Sequence, residues 1–283
     1  MVGGTTQLTG SNRSTDAQAA DPPAPRARAN TPVAALELTD EDVTTKGVRE
    51  RGFVVGRGNV DVPGLLWTPA DAEGARPLVL IGHGAAGSKR DAHVVSLARQ
   101  LVRHRSFAAA AIDGPVHGDR RADGGADSAL VLAEFAQRWA NDPQMVDQMV
   151  ADWRATLDAL GALEEVGTEA VGWWGLSMGT IFGVPVVAAE PRIGAAVLGL
   201  MGTGGPSEQA RARMLADAGA VRCPVLFLLQ WDDEIMKREH VLALFGAIAS
   251  LDKRLHAHPG RHVEVPVEEL DASEQFLAHH LGS

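Results

Sequence analysis

Ala170-Val171-Gly172-Trp173-Trp174-Gly175-Leu176-Ser177-Met178-Gly179-Thr180-Ile181-Phe182-Gly183 is the stretch on which the fold turns. A short apolar run stops at Trp174, a Gly-x-Ser-x-Gly pentad follows, and helix-length text begins behind it. The physics of that junction is specific: a sharp strand-to-helix turn lifts the Ser177 hydroxyl clear of a sheet, and flanking glycines are needed where a Cβ would strike neighbouring backbone. The free N–H groups of the following helix then point toward the hydroxyl. The pentad alone says little, because a chain with 31 glycines in 283 residues produces it by chance about 0.2 times. Its position between strand and helix marks Ser177 as a nucleophile; the alternative is a serine in an ordinary tight turn.

Outward from this point, short apolar runs alternate with longer Ala-, Arg- and Asp-rich text. Residues 53–55 and 62–67 read as an opening hairpin. Residues 77–82, 107–112, 170–174, 195–200 and 224–229 read as buried strands, and 253–257 as a last one. Residues 91–103 and 144–163 carry apolar positions at helical spacing. Strand alternating with helix predicts an α/β fold, a mostly parallel sheet covered on both faces. Ligands of such sheets bind beyond the carboxyl ends of the strands, so the polar residues after each run are the candidates for chemistry.

A serine hydroxyl needs a base, and the base needs a third group to orient it. After run 224–229 come Asp232, Asp233 and Glu234, three acids where the third group belongs. After run 253–257 comes His258-Pro259-Gly260-Arg261-His262. His262 is the expected base, with His256 and His258 its competitors, while His279 and His280 fall in a terminal, solvated helix. Run 77–82 leads into His83-Gly84-Ala85-Ala86-Gly87, and the N–H groups of Ala85 and Met178 are the expected oxyanion donors. Two other readings of these loops fare worse. Neither Gly-x-Gly-x-x-Gly nor a P-loop pattern is present to cradle phosphate. His83, Asp113, His117, Asp119 and the Asp232/Asp233 pair match no metal-ligand spacing. No cofactor and no metal are expected.

With these residues in hand, the chain resembles the α/β-hydrolase superfamily and, within it, the dienelactone-hydrolase-like branch. The resemblance runs from about residue 50 to the end. It rests on Gly82-His83-Gly84, the turn Asp113-Gly114-Pro115-Val116-His117-Gly118, the pentad, the acid after the seventh strand and the late histidine. It implies an α/β-hydrolase fold with a mostly parallel eight-stranded sheet and a small or absent cap, since residues 202–222 and 119–141 hold about one helix each. It also implies a serine hydrolase acting on a small-molecule ester or lactone, and the family's usual pattern of an acid, two variable residues and an aliphatic one implies Asp233 as the acid, with Asp232 the alternative. Amide or peptide cleavage by the same residues, a perhydrolase and a non-catalytic binding protein are the alternatives. Three departures stand out. Ser177 replaces the cysteine of dienelactone hydrolases proper, Val116 stands where glycine is usual, and Ile235-Met236-Lys237 stands where a Val-Pro pair is common. Trp173, Trp174, Met201 and Trp231, near strand ends, are candidates for the pocket lining.

Composition narrows the partners. Acidic residues outnumber basic ones, 36 to 26, for a net charge of −10, which disfavours nucleic acid and anionic membrane surfaces. The single cysteine, Cys223, allows neither an intrachain disulfide nor a cysteine metal cage, and the absence of tyrosine excludes a phenolic acid. No apolar h-region and no apolar run of about 18 residues appear, so a cytoplasmic protein is expected. Residues 1–33, nearly devoid of large apolar side chains, read as a disordered tail ahead of a domain spanning 34–283.

Overall fold

The structure is a computed structural model that describes Met1, Gly3, Gly4, residues 35–125 and residues 127–282. Apart from those three N-terminal residues, the expected tail lies outside the described residues. From residue 35 onward the chain builds one sheet from β1 (Ala35–Thr45), β2 (Val48–Arg57), β3 (Val60–Pro69), β4 (Arg76–Gly82), β5 (Ala108–Ile112), β6 (Val166–Gly175), β7 (Ile193–Gly199), β8 (Val225–Gln230) and β9 (Lys253–His258). Its order is β1-β2-β3-β5-β4-β6-β7-β8-β9. The first three strands pair antiparallel, and β4 through β9 are mutually parallel.

The sheet thus has nine strands where eight were expected. The addition is β1, which pairs with β2 from Ala35↔Gly56 to Thr45↔Val48 and is mostly exposed. Only Leu36 of this strand packs against the core. Backbone pairing rather than a buried face holds it, so its side chains carry no clear strand period.

Helices cover both faces: α1 (Ala92–Arg105) and α7 (Glu268–Leu281) on one, α3 (Met145–Leu160) and α4 (Met178–Ala189) on the other. The strands divide their side chains accordingly, as their twofold period requires. Leu78 and Leu80 of β4 join Trp153 of α3 in one core, while Val79 and Ile81 join Leu97 of α1 and Leu277 of α7 in the other. Trp173 and Trp174, adjacent on β6, go to opposite cores in the same way. Both are buried in the core. Three further helices, α2 (Ser128–Asn141), α5 (Glu208–Ala218) and α6 (Arg238–Ala247), complete the chain. No helix among the described residues is long and apolar enough to cross a membrane.

The strand order reverses at β4, which lies between β5 and β6. A crevice opens where the connections depart in opposite directions, at the carboxyl ends of β4 and β6. Those ends carry His83-Gly84-Ala85 and Gly175-Leu176-Ser177.

Candidate active site

Ser177 sits between β6 and α4 with φ +55° and ψ −115°, a conformation that costs a non-glycine residue on the order of 1–3 kcal/mol. The surroundings enforce it. Its N–H donates to the Gly199 carbonyl at 3.0 Å. The buried Thr180 hydroxyl lies 2.9 Å from the Gly175 carbonyl and 2.7 Å from that of Gly199, and it accepts from the Gly199 N–H at 2.8 Å. The glycines of the pentad are steric necessities: a Cβ at Gly175 would lie 2.7 Å from the Gly179 carbonyl oxygen, and one at Gly179 would lie 2.6 Å from that of Gly82. Thr180 was not singled out from the sequence, because its partner Gly199 lies on the neighbouring strand.

The structure brings Ser177, His262 and Asp233 into one hydrogen-bonded chain. Ser177 Oγ is 2.9 Å from His262 Nε2, and His262 Nδ1 is 2.8 Å from Asp233 Oδ2. His262 is 6% exposed, which excludes competing water. The other carboxylate oxygen of Asp233 accepts from the N–H groups of Ile235 and Met236, both at 2.8 Å, so the turn at Ile235-Met236 aims the acid. Asp232 is exposed, and its N–H donates to the Gly260 carbonyl at 3.0 Å. Gln230, at the end of β8, donates through Nε2 to the carbonyls of Arg261 and Glu264 and steadies the histidine loop. Glu234 accepts the His262 N–H at 3.0 Å, and this bond holds its carboxyl below the usual range. Trp231 is half exposed beneath the Arg238 guanidinium, which stacks 3.8 Å from its ring centre and donates to its carbonyl at 2.6 Å. It clamps the loop that carries Asp233. His256 and His258 turn away to Glu269.

The loop from His83 to Gly87 is set by two interlocked turns. His83 Nδ1–H donates to the Gly84 carbonyl at 2.8 Å while Nε2 accepts from the Gly114 N–H at 2.8 Å. His117 Nδ1–H donates to the Pro115 carbonyl at 2.6 Å while Nε2 accepts from the Ala86 N–H at 3.2 Å. Beneath them the buried Lys89 ammonium pairs with buried Asp113, whose carboxylate also takes the N–H groups of Lys89 and Asp119. The N–H groups of Ala85 and Met178 find no acceptor among the described residues. Every polar group of the Asp113–Gly118 turn named here is thus engaged in holding the loop. Val116 takes φ +59°, a left-handed conformation unusual for a β-branched residue.

Both buried imidazoles act as neutral rings. Burial, and then the neighbouring His117, bring His83 down to about 4, and burial also lowers His117. Between about pH 6.5 and 4 the unfolded chain therefore binds a proton that the folded His83 refuses. Stability is full above the ordinary histidine pKa and falls as pH drops, by about 3 kcal/mol at pH 4 from His83 alone. Urea midpoints measured from pH 7 to pH 4 should fall steeply, and His83→Gln should flatten the slope. An equal slope in that variant would contradict the assignment.

A cleft of about 340 Å³ lies against α4, where Ile181 stands one helical turn past Ser177. Ile181 and Pro185 of α4, Met201 and Thr203 after β7, Trp139 of α2 and Met214 of α5 line it. α2 and α5 with their adjoining loops share its wall with α3, α4 and the loop after β7, and these two helices are the thin cover expected from the short inserts. Cys223 stands apart from this chemistry, and burial pushes its thiol up to about 11.

No family model and no curated protein match the chain. Among solved structures, a cold-adapted esterase from an Arctic intertidal metagenomic library is 38% identical, with TM-score 0.77 over 87% of this chain and 99% of its own. The acetyl xylan esterase 1 of a Thermoanaerobacterium species is 17% identical with TM-score 0.71, covering 88% and 89% of the two chains. A dienelactone-hydrolase-like promiscuous phosphotriesterase from metagenomic libraries is 20% identical with TM-score 0.64, covering 83% and 100%. The last two share the fold; the first shares sequence over nearly its whole length. The chain therefore belongs to the family of that cold-adapted esterase, and its fold is that of the α/β-hydrolases.

Proposed function

We propose that the protein hydrolyses small carboxylic esters or lactones through an acyl-enzyme on Ser177. The observation that carries this reading is the Ser177–His262–Asp233 chain, with contacts of 2.9 and 2.8 Å, built on a strained elbow. The esterase activity named for the 38% identical relative supports it. His262 Nε2 takes the hydroxyl proton as Oγ attacks the carbonyl carbon, and Asp233 stabilises the resulting imidazolium. The N–H groups of Ala85 and Met178 receive the oxyanion. His262 then returns the proton to the departing alcohol, and water repeats the sequence on the acyl-enzyme.

A fluorophosphonate probe tests this directly. It should label the chain once, with the adduct on the peptide containing Ser177, and Ser177→Ala should abolish both labelling and ester turnover. Labelling that persists in the variant would place the nucleophile elsewhere.

The cleft at Ile181, one helical turn along α4 from Ser177, is assigned to the acyl chain. Trp139→Ala removes an indole from its wall, and each methylene accommodated is worth about 1–3 kcal/mol. The ratio of kcat/KM for hexanoyl over acetyl p-nitrophenyl esters should rise by about tenfold. An unchanged ratio would assign the acyl group to another surface.

A further inference from the structure

His256 and His258 are two residues apart on β9 and so project from the same face of the strand. This is the face on which α7 lies, as the Arg254 guanidinium over the Phe276 ring shows. Opposite them, in the first turn of α7, stands Glu269, only 5% exposed. A single carboxylate oxygen, Oε1, lies 3.0 Å from His256 Nδ1 and 2.6 Å from His258 Nε2. One ligand atom from each of the three residues falls within 4.8 Å of the other two. None of these groups takes part in the Ser177 chemistry.

We propose that His256, His258 and Glu269 form a divalent transition-metal site suited to zinc. Two imidazoles and one carboxylate are a donor set that zinc takes with water as fourth ligand, and imidazole selects it over magnesium and calcium. The donors converge before any ion arrives, so little ordering is left for binding. Tetrahedral bonds of about 2.0–2.1 Å put ligand atoms roughly 3.3 Å apart, so the groups must open by a few tenths of an ångström. The two imidazoles can give way, being 39% and 29% exposed, and the same exposure admits the ion and its water. In the metal-free protein each histidine gives its N–H to Glu269. On binding, each ring moves that proton to its other nitrogen and presents a lone pair to the ion, with no net proton released.

The site has a mechanical consequence. It ties the end of β9 to the start of α7 and closes the chain between His258 and Glu269 into a loop that contains His262. Zinc should therefore stabilise the fold by mass action without touching the reacting atoms.

The test uses the full chain, free of any polyhistidine tag and stripped with EDTA. Titration with Zn²⁺ against a chromophoric chelator should show one tight equivalent, and saturation should raise Tm by several degrees. His258→Gln and Glu269→Gln, checked for folding by circular dichroism, should weaken that equivalent by at least about a hundredfold. His262→Ala should retain it. Substituted Co²⁺ should show visible bands without thiolate charge transfer. No tight binding to the wild-type chain would overturn the proposal. So would unchanged affinity in both folded Gln variants, or loss of the equivalent in His262→Ala, which would move the ion to the serine's histidine.

Discussion

Asp233→Asn is expected to lower kcat by about ten-thousandfold while leaving Tm nearly unchanged. Asparagine is nearly isosteric, and its amide oxygen can still accept the Ile235 and Met236 N–H groups that Asp233 Oδ1 accepts now. Its amide nitrogen would then face His262 Nδ1 as a donor. The imidazole would carry its proton on Nε2 instead, turned toward Ser177 Oγ, and could no longer take the hydroxyl proton. Asp232→Asn provides the comparison. That side chain is exposed and only its backbone N–H is engaged, so the loss should stay below about tenfold. Steady-state kinetics on both variants, beside their melting temperatures, decide between the acids. A crippled but well-folded Asp232→Asn with an active Asp233→Asn would reverse the assignment.

His262→Ala should cost at least about a thousandfold in kcat. It removes the base while leaving Ser177, its elbow and the donors of Ala85 and Met178 in place. Glu234→Gln is the informative neighbour: the glutamine carbonyl still accepts the His262 N–H, so turnover should fall only modestly. A loss as deep as that of His262→Ala would mean that the carboxylate charge of Glu234 itself supports the reaction.

What was legible in the sequence was what is local. The elbow could be read because strand, pentad and helix adjoin, and because the two glycines answer to contacts a few residues away. Asp233 and His262 were found by their places after apolar runs, and distance in the chain did not hide them. Their orienting partners were hidden. Nothing near Lys89 announces that its ammonium is buried against Asp113. Nothing near Thr180 announces the Gly199 carbonyl, because both contacts depend on how strands and loops come together. Glu269 is likewise unremarkable in a helix that opens with two glutamates, until β9 lays two imidazoles against it. β1 was missed for the opposite reason: it buries almost nothing, so hydrophobic patterning had no purchase on it.

That same strand governs how the protein behaves toward copies of itself. β1 is an outer edge of the sheet, where unpaired backbone groups offer a template to any extended chain. Here Glu37, Asp40, Glu41 and Asp42 crowd one short span, and the pairing register slips between Leu38 and Asp42. A second edge laid alongside would meet an irregular backbone carrying Glu37 and Asp40, with Glu41 and Asp42 already held by Arg90 and Arg49, features that disfavour edge-to-edge pairing.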